Sequence, residues 1–334
     1  MMNDQALIAV VGADGLLGEA LLAELADSGW PASRLRALVA EEAVGTRLEY
    51  ADTYLKSAAA AGFDFADVAV ALFADAELTA QSLSQARAAG ARLLDLSGHL
   101  ATTTHVPVVV HAVNDAELGA QTALIAPPAV VVAAARVVAA LQPLAGVERI
   151  DLTWLRAVSN DGRAGIDELA RQTANLLNAR PIEPHLYPQQ IAFNVLPGWD
   201  GFDATGYTAE EALCSRLLAE AVGVPSECVT ALALRMPVFF GDGCVLRLRL
   251  MRGVPCGQLQ RALEASAGLD CLALDDAPVS PVVDAVSQSL PQIALLRAAA
   301  GEARDLNLWI VADNVRAAAS NGVAVARTLV DGPR

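Results

Sequence analysis

A chain of 334 residues is long enough for about two domains, and with 54% apolar residues it can fill sizeable cores. A formal charge of −15 argues against nucleic acid or an anionic membrane as the main partner, and no uncharged apolar run reaches the ~18 residues needed to span a bilayer. The five cysteines (Cys214, Cys228, Cys244, Cys256, Cys271) form no CxxC pair, no secretory leader opens the chain, and the four histidines (His99, His105, His111, His185) form no HExxH or HxH cluster, so a reduced, cytoplasmic protein without a metal site is expected.

The first predicted strand, Ala6–Val11, meets Gly12, with Gly15 and Gly18 following at three-residue steps. Leu17, Ala20, Leu21 and Leu25 then recur at helical spacing. Strand, glycine turn and helix are the layout of a nucleotide-binding βα unit. Gly12 permits the tight turn, Gly15 lets backbone approach a phosphate, and Gly18 lets helix and strand pack closely. The first turn of the helix, with Leu16 and Leu17, presents free N–H groups to a pyrophosphate. The GxxGxxG spacing also suits a plain tight βα turn, and both readings stand.

A second strand, Leu35–Ala40, ends in Glu41 and Glu42. Carboxylates there can accept hydrogen bonds from a ribose 2′-OH and repel a 2′-phosphate; the other reading is two solvated loop charges. Strands at Val68–Phe73 and Ala91–Leu96 flank a helix over Thr79–Ala89 that Gly90 closes, and further β runs are expected at Val106–Val110 and Ala123–Ala126. This alternation predicts a parallel sheet with helices on both faces.

From Val130 the texture changes. A helix over Val130–Leu141 leads to strands at Glu148–Val158, Ala231–Pro237 and Val245–Met251, with helices at Gly165–Leu177, Ala209–Ala221 and Cys256–Ala267. The clean alternation of Val245, Leu246, Arg247, Leu248, Arg249 and Leu250 predicts an antiparallel, half-exposed sheet. Asn178–Asp203, rich in proline and aromatics, is expected as an ordered loop. Asn307–Asp313 reads as a strand and Asn314–Leu329 as a helix.

Seven separated segments, in order, resemble the aspartate-semialdehyde dehydrogenase family. They are GADGLLG (Gly12–Gly18), VPVVVHAVN (Val106–Asn114), RAVSNDGRAGIDEL (Arg156–Leu169), IAFNVLP (Ile191–Pro197), EEALCSR (Glu210–Arg216), RMPVFFGD (Arg235–Asp242) and DNVRAAASN (Asp313–Asn321). The resemblance implies an α/β fold: a Rossmann-type dinucleotide-binding domain over residues 1–129 and 314–334, and an α+β catalytic or dimerisation-like domain over residues 130–313. It also implies reductive dephosphorylation of an acyl phosphate, or its reverse. In that chemistry a Cys thiolate attacks the carbonyl, a His moves the proton, and hydride passes to or from NADP.

Carried over residue by residue, the resemblance finds most of the functional positions changed. Val130, after Ala126, Pro127, Pro128 and Ala129, stands at the nucleophile's place and has no lone pair to attack with. Asp242 stands where the proton-transfer His belongs. Arg156 matches the substrate-orienting Gln, Ala101 a phosphate-gripping Arg, and Leu213 a phosphate-binding Lys. Ala40 and Glu42 match the Ser and Arg that hold a 2′-phosphate. Retained are Arg235, which in the family grips the substrate carboxylate, Glu210 and Glu211 of the EE motif, Asn194, and on the cofactor side the glycines and Asn314. Loss of a nucleophile alone removes roughly 10⁴ to 10⁶ in rate. Cys244 shares a dry strand face with Leu246, Leu248 and Leu250 and reads as a core residue, not a substitute nucleophile; Cys214 reads as packing.

Within the family, the chain most resembles the Usg-type relatives that lack the catalytic Cys and His. Two functions follow. One is a homodimeric, catalytically inactive homologue that binds a dinucleotide, NAD ahead of NADP, or a carboxylate near Arg235 and Arg156. The other is an NAD-dependent oxidoreductase of amino-acid metabolism that avoids a thioester and uses Arg156 and Asp242 as polariser and base. A mixed dimer with an active relative follows from the family's dimer interface alone.

Overall fold

The computed structural model describes residues 6–102, 106–119, 121–199, 201–272, 279–298 and 302–332, and His105 lies outside them. The chain divides into two compact units, one formed by Met1–Pro128 with Ala318–Arg334 and the other by Ala129–Ala317.

The first unit runs β1 (Leu7–Val11), α1 (Leu16–Asp27), β2 (Leu35–Val39), β3 (Arg47–Tyr50), β4 (Thr53–Lys56), β5 (Ala58–Ala59), β6 (Val68–Phe73), α2 (Ala76–Ala88), β7 (Arg92–Asp95) and β8 (Ala123–Ile125). Its six-stranded sheet has the order β5-β2-β1-β6-β7-β8, with every pair parallel. Both faces are covered, so β1 and β6 read as continuous apolar runs instead of alternating ones. Ile8, Val10, Leu21, Leu25, Leu72 and Leu94 share one buried core.

Three local features differ from expectation. The run Val106–Val110 forms only a single parallel bridge, between Val108 and Ile125. Pro107 has no N–H to extend a ladder, and the Asn114 side chain closes the segment by bonding Val110 N and Val108 O. Helix α2 starts three residues before Thr79 because the Asp75 carboxylate accepts from Leu78 N at 2.8 Å and caps it. The β3–β4 hairpin has no Gly-containing turn to announce it: Ala51 takes the left-handed conformation instead, with φ 47°. Leu48, Tyr50 and Leu55 bury the hairpin's inner face.

The second unit runs α3 (Ala129–Ala145), β9 (Val147–Arg156), α4 (Gly162–Leu177), β10 (Leu196–Pro197), α5 (Ala209–Val222), β11 (Val229–Arg235), β12 (Asp242–Pro255), α6 (Cys256–Glu264), β13 (Asp270–Cys271), β14 (Gln292–Ala298) and β15 (Glu302–Ala312); α7 (Arg316–Asp331) closes the chain and from Ala318 on belongs to the first unit. Its seven-stranded sheet has the order β10-β11-β9-β12-β15-β14-β13. The expectation of an antiparallel sheet needs correction, because β11 pairs with β9, and β13 with β14, in parallel. Between β9 and β11 the chain makes a long crossover through α4 and α5, which returns it in the same direction. Alternation on one strand reports its faces and not the direction of its neighbour. The faces are as read: Cys244, Leu246, Leu248 and Leu250 are buried, and Arg247 and Arg249 are exposed.

Between α4 and α5 the described residues include the short strand β10, which the sequence did not announce. Tyr187, Ile191, Ala192 and Leu196 pack on Val158 and Leu169, with Trp199 against them. The last helix begins at Arg316, not Asn314, because Asp313 Oδ1 accepts from Val315 N and Arg316 N.

Candidate functional site

Arg156 and Arg235 end the adjacent strands β9 and β11 and are register partners across them. Two like charges so placed repel, and both side chains are only 5% exposed, so water screens them poorly. Two carboxylates balance them. Asp161 Oδ1 lies 3.0 Å from Arg156 Nη2, and Asp161 Oδ2 lies 3.3 Å from Arg235 Nε. Glu210 Oε1 lies 2.9 Å from Arg156 Nη1, and its Oε2 lies 3.4 Å from Arg235 Nη2. The formal charges of these four side chains sum to zero. Tyr187 OH donates to Asp161 Oδ2 at 2.9 Å, and burial, with Asp161 beside it, pushes the phenol above its ordinary range. The Arg235 guanidinium stacks 4.0 Å over the Trp199 ring.

The adjacent glutamates part company. Glu210 faces the arginines, while Glu211 forms a capping box with Thr208: its Oε2 accepts from Thr208 N and Oγ1, each at 2.9 Å. Its Oε1 accepts from Ala233 N on β11 at 3.0 Å. Buried and fully engaged, Glu211 fixes the start of α5 to the sheet.

Asp242, at the start of β12, is buried. It accepts from Trp154 Nε1 at 2.6 Å, Ala157 N at 2.8 Å and Asn160 Nδ2 at 2.8 Å. Burial pushes its carboxyl up to about 6, against the three hydrogen bonds and Arg156, which hold it down. Both oxygens are committed to holding the turn that follows β9. Val130 is buried in the apolar first turn of α3, among Ala129, Val131 and Val132. Cys214 and Cys244 are buried thiols; burial pushes Cys214 up to about 12 and raises Cys244 further. Asn314 is also buried, its amide meeting Ser159 Oγ and accepting from Gly241 N at 3.1 Å.

In the first unit, Gly12 has φ +83°, and a Cβ there would meet Asp75 Cβ at 2.5 Å. A Cβ on Gly18 would lie 2.0 Å from Gly12 O, so helix and strand approach too closely for any side chain. Gly15 is the N-cap of α1 and supplies no side-chain hydrogen bond to the first turn, where Leu16 and Leu17 sit. Glu41 and Glu42 are exposed, in a 3-10 turn just after β2. Ala40 and Leu213 are half-buried and Ala101 is buried, and none of the three carries a charge. Among the described residues, no group of three or more His, Cys, Asp or Glu side chains could hold a metal ion, and no helix is long and apolar enough to cross a membrane.

Sequence reasoning did not single out Asp161, Asn160, Trp154, Tyr187 or Trp199. One signal was present for the glutamates, since Thr208-x-x-Glu211 is the capping-box pattern.

Two family models match the chain: the NAD binding domain of semialdehyde dehydrogenase over residues 7–121 and its dimerisation domain over residues 138–317. A USG-1 protein homolog of Pseudomonas aeruginosa is 38% identical over 98% of this chain and 99% of its own length. Aspartate-semialdehyde dehydrogenase 2 of Vibrio cholerae is 33% identical over 98% of this chain and 99% of its own. Among solved structures, a probable aspartate-semialdehyde dehydrogenase from Pseudomonas aeruginosa superposes with TM-score 0.90 at 37% identity, covering 97% of this chain and 98% of that one. Aspartate semialdehyde dehydrogenase II from Vibrio cholerae, complexed with ASA, superposes with TM-score 0.90 at 32% identity over 98% of each chain.

Proposed function

The chain belongs to the semialdehyde dehydrogenase family, and on that premise we propose that it is a homodimeric member that does not run the thioester reaction and retains a dinucleotide-binding turn. The observation that carries this reading is Asp242. At the proton-transfer place stands a buried carboxylate whose oxygens are taken by Trp154, Ala157 and Asn160. Val130 offers no nucleophile, and the thiols of Cys214 and Cys244 lie too high to ionise near neutral pH. The match to a dimerisation domain supports the homodimer.

The glycine turn fits a dinucleotide, since Gly18 lets the helix seat closely on the strand and the absence of a side-chain cap at Gly15 leaves first-turn N–H groups for a pyrophosphate. Gly12, Gly15, Leu16, Leu17 and Gly18 would hold it, and Glu41 would accept from a ribose hydroxyl, which favours NAD over NADP. When bound, the nicotinamide would supply a hydride acceptor or donor. The alternative oxidoreductase would need Arg156 and Asp242 as polariser and base, and the partners that engage both weigh against it.

The test uses the purified full chain. With aspartate semialdehyde, phosphate and either nucleotide, no reduction of NAD or NADP is expected, and measurable turnover overturns the inactive reading. NAD is expected to raise the melting temperature more than NADP, because the carboxylates after β2 repel a 2′-phosphate, and saturation to a hundred times Kd stabilises by ~2.7 kcal/mol. No shift with either nucleotide at millimolar concentration overturns the binding half.

A further inference from the structure

We propose that Asp161 is a built-in carboxylate ligand: it fills, between Arg156 and Arg235, the anion seat that these two guanidiniums and the Tyr187 hydroxyl form, and so closes that seat to external carboxylates. The inference replaces the expectation of a free carboxylate bound near Arg235 and Arg156, since Asp161 takes that place. It is independent of whether a dinucleotide binds or whether any substrate turns over.

The geometry is that of a bound ligand. One oxygen of Asp161 meets Arg156 Nη2 at 3.0 Å; the other meets Arg235 Nε at 3.3 Å and accepts from Tyr187 OH at 2.9 Å. A small carboxylate bound between two arginines uses the same contacts, one oxygen to each guanidinium. The two arginines come from adjacent parallel strands in register, so the spacing between them is set by the sheet and not by Asp161. Asp161 reaches them from the C-terminal end of a single 3-10 turn, Val158–Asp161, which is held independently: Asn160 donates to Asp242, and Ser159 bonds Asn314. Glu210 meets both arginines from α5, so the second negative charge remains when the first is removed. Truncating Asp161 therefore leaves a formed seat that has lost one negative charge and gained an open volume the size of a carboxylate. Two guanidiniums so little exposed to water recruit an anion to replace it.

The experiment is chemical rescue of the full chain. Asp161→Ala and the wild type are melted in acetate, malonate or phosphate, with chloride at matched ionic strength as the reference. The Asp161→Ala protein is expected to melt several degrees below wild type in chloride. Acetate or malonate should raise its Tm saturably by about 5 °C, while the wild type shows no saturable response. Asp161→Ser, which keeps a hydrogen-bond partner for Tyr187 in less space, carries the same test if Asp161→Ala does not fold. Recovery of either variant only from carboxylate-containing buffer is the same rescue.

The proposal is overturned if the wild type itself binds carboxylate saturably, if neither variant gains from carboxylate over chloride, or if both variants fail to fold even with carboxylate present. Turnover by the wild type, or absence of nucleotide binding, bears on the proposed function and leaves this comparison intact.

Discussion

The indole N–H of Trp154 donates to Asp242 at 2.6 Å, which joins β9 to the first residue of β12. With Ala157 N and Asn160 Nδ2 on its other oxygen, the carboxylate works as a structural clamp. A side chain that organises a turn in this way makes a poor shuttle, because its oxygens are occupied by three fixed donors and no open position faces a substrate proton.

The clamp has a pH signature. Burial raises the folded-state carboxyl of Asp242 to about 6, above its unfolded value of 3.8. The folded chain thus binds the proton more tightly. That contribution to stability is fully present below pH ~4 and is lost as pH rises through about 6, a swing of about 3 kcal/mol. Asp242→Asn cannot titrate, so its stability relative to wild type is expected to improve from pH 4.5 to 7.5. Its amide meets the Trp154 donor badly, so the improvement starts from a deficit of about 1 to 3 kcal/mol. Urea unfolding of both proteins across that range checks it, and a difference that does not change with pH removes the idea.

Gly18 and Gly15 separate packing from ligand contact. Gly18→Ala drives a Cβ to 2.0 Å from Gly12 O, and the helix must shift, at a cost of roughly 2 to 4 kcal/mol. Gly15→Ala places its Cβ 3.5 Å from the same oxygen, at φ −81°, and is expected to change stability by less than about 1 kcal/mol. A loss of the NAD-induced melting shift in Gly15→Ala at unchanged intrinsic stability places the ligand against that residue. Equal destabilisation by the two substitutions contradicts the packing reading of Gly18.

Thiol titration with a colorimetric disulfide reagent tests whether any cysteine is poised for attack. Cys228, Cys256 and Cys271 are partly accessible, whereas Cys214 and Cys244 are buried. The native chain is expected to release at most three equivalents at pH 8, with the remaining two appearing only in denaturant. Fast modification of Cys244 in the native chain would contradict its placement in the core.

How much of this was legible follows from the kind of information each feature needs. The strand–Gly12–α1 unit and the alternating faces of β12 are local patterns, and both could be read directly. The nearness of Arg156 to Arg235 came only through the family resemblance; no local pattern carries it, because it depends on the parallel direction of β9 and β11, which a long crossover decides. Asp161 looks like any loop charge until that pairing brings two guanidiniums to it. The two glutamates at 210 and 211 point in directions roughly 100° apart on a helix, so only one could face the arginines. The Thr208 cap had already claimed the other.

The same crossover has a kinetic consequence. Arg156, Asp161, Glu210 and Arg235 come from segments that meet only after α4, the 178–208 connection and α5 have folded back to lay β11 beside β9. Contacts of such long sequence separation carry the entropic cost of closing the intervening loop. The ion cluster is therefore expected to form after the folding transition state, so that Arg235→Ala would speed unfolding while changing the folding rate little in a stopped-flow denaturant series.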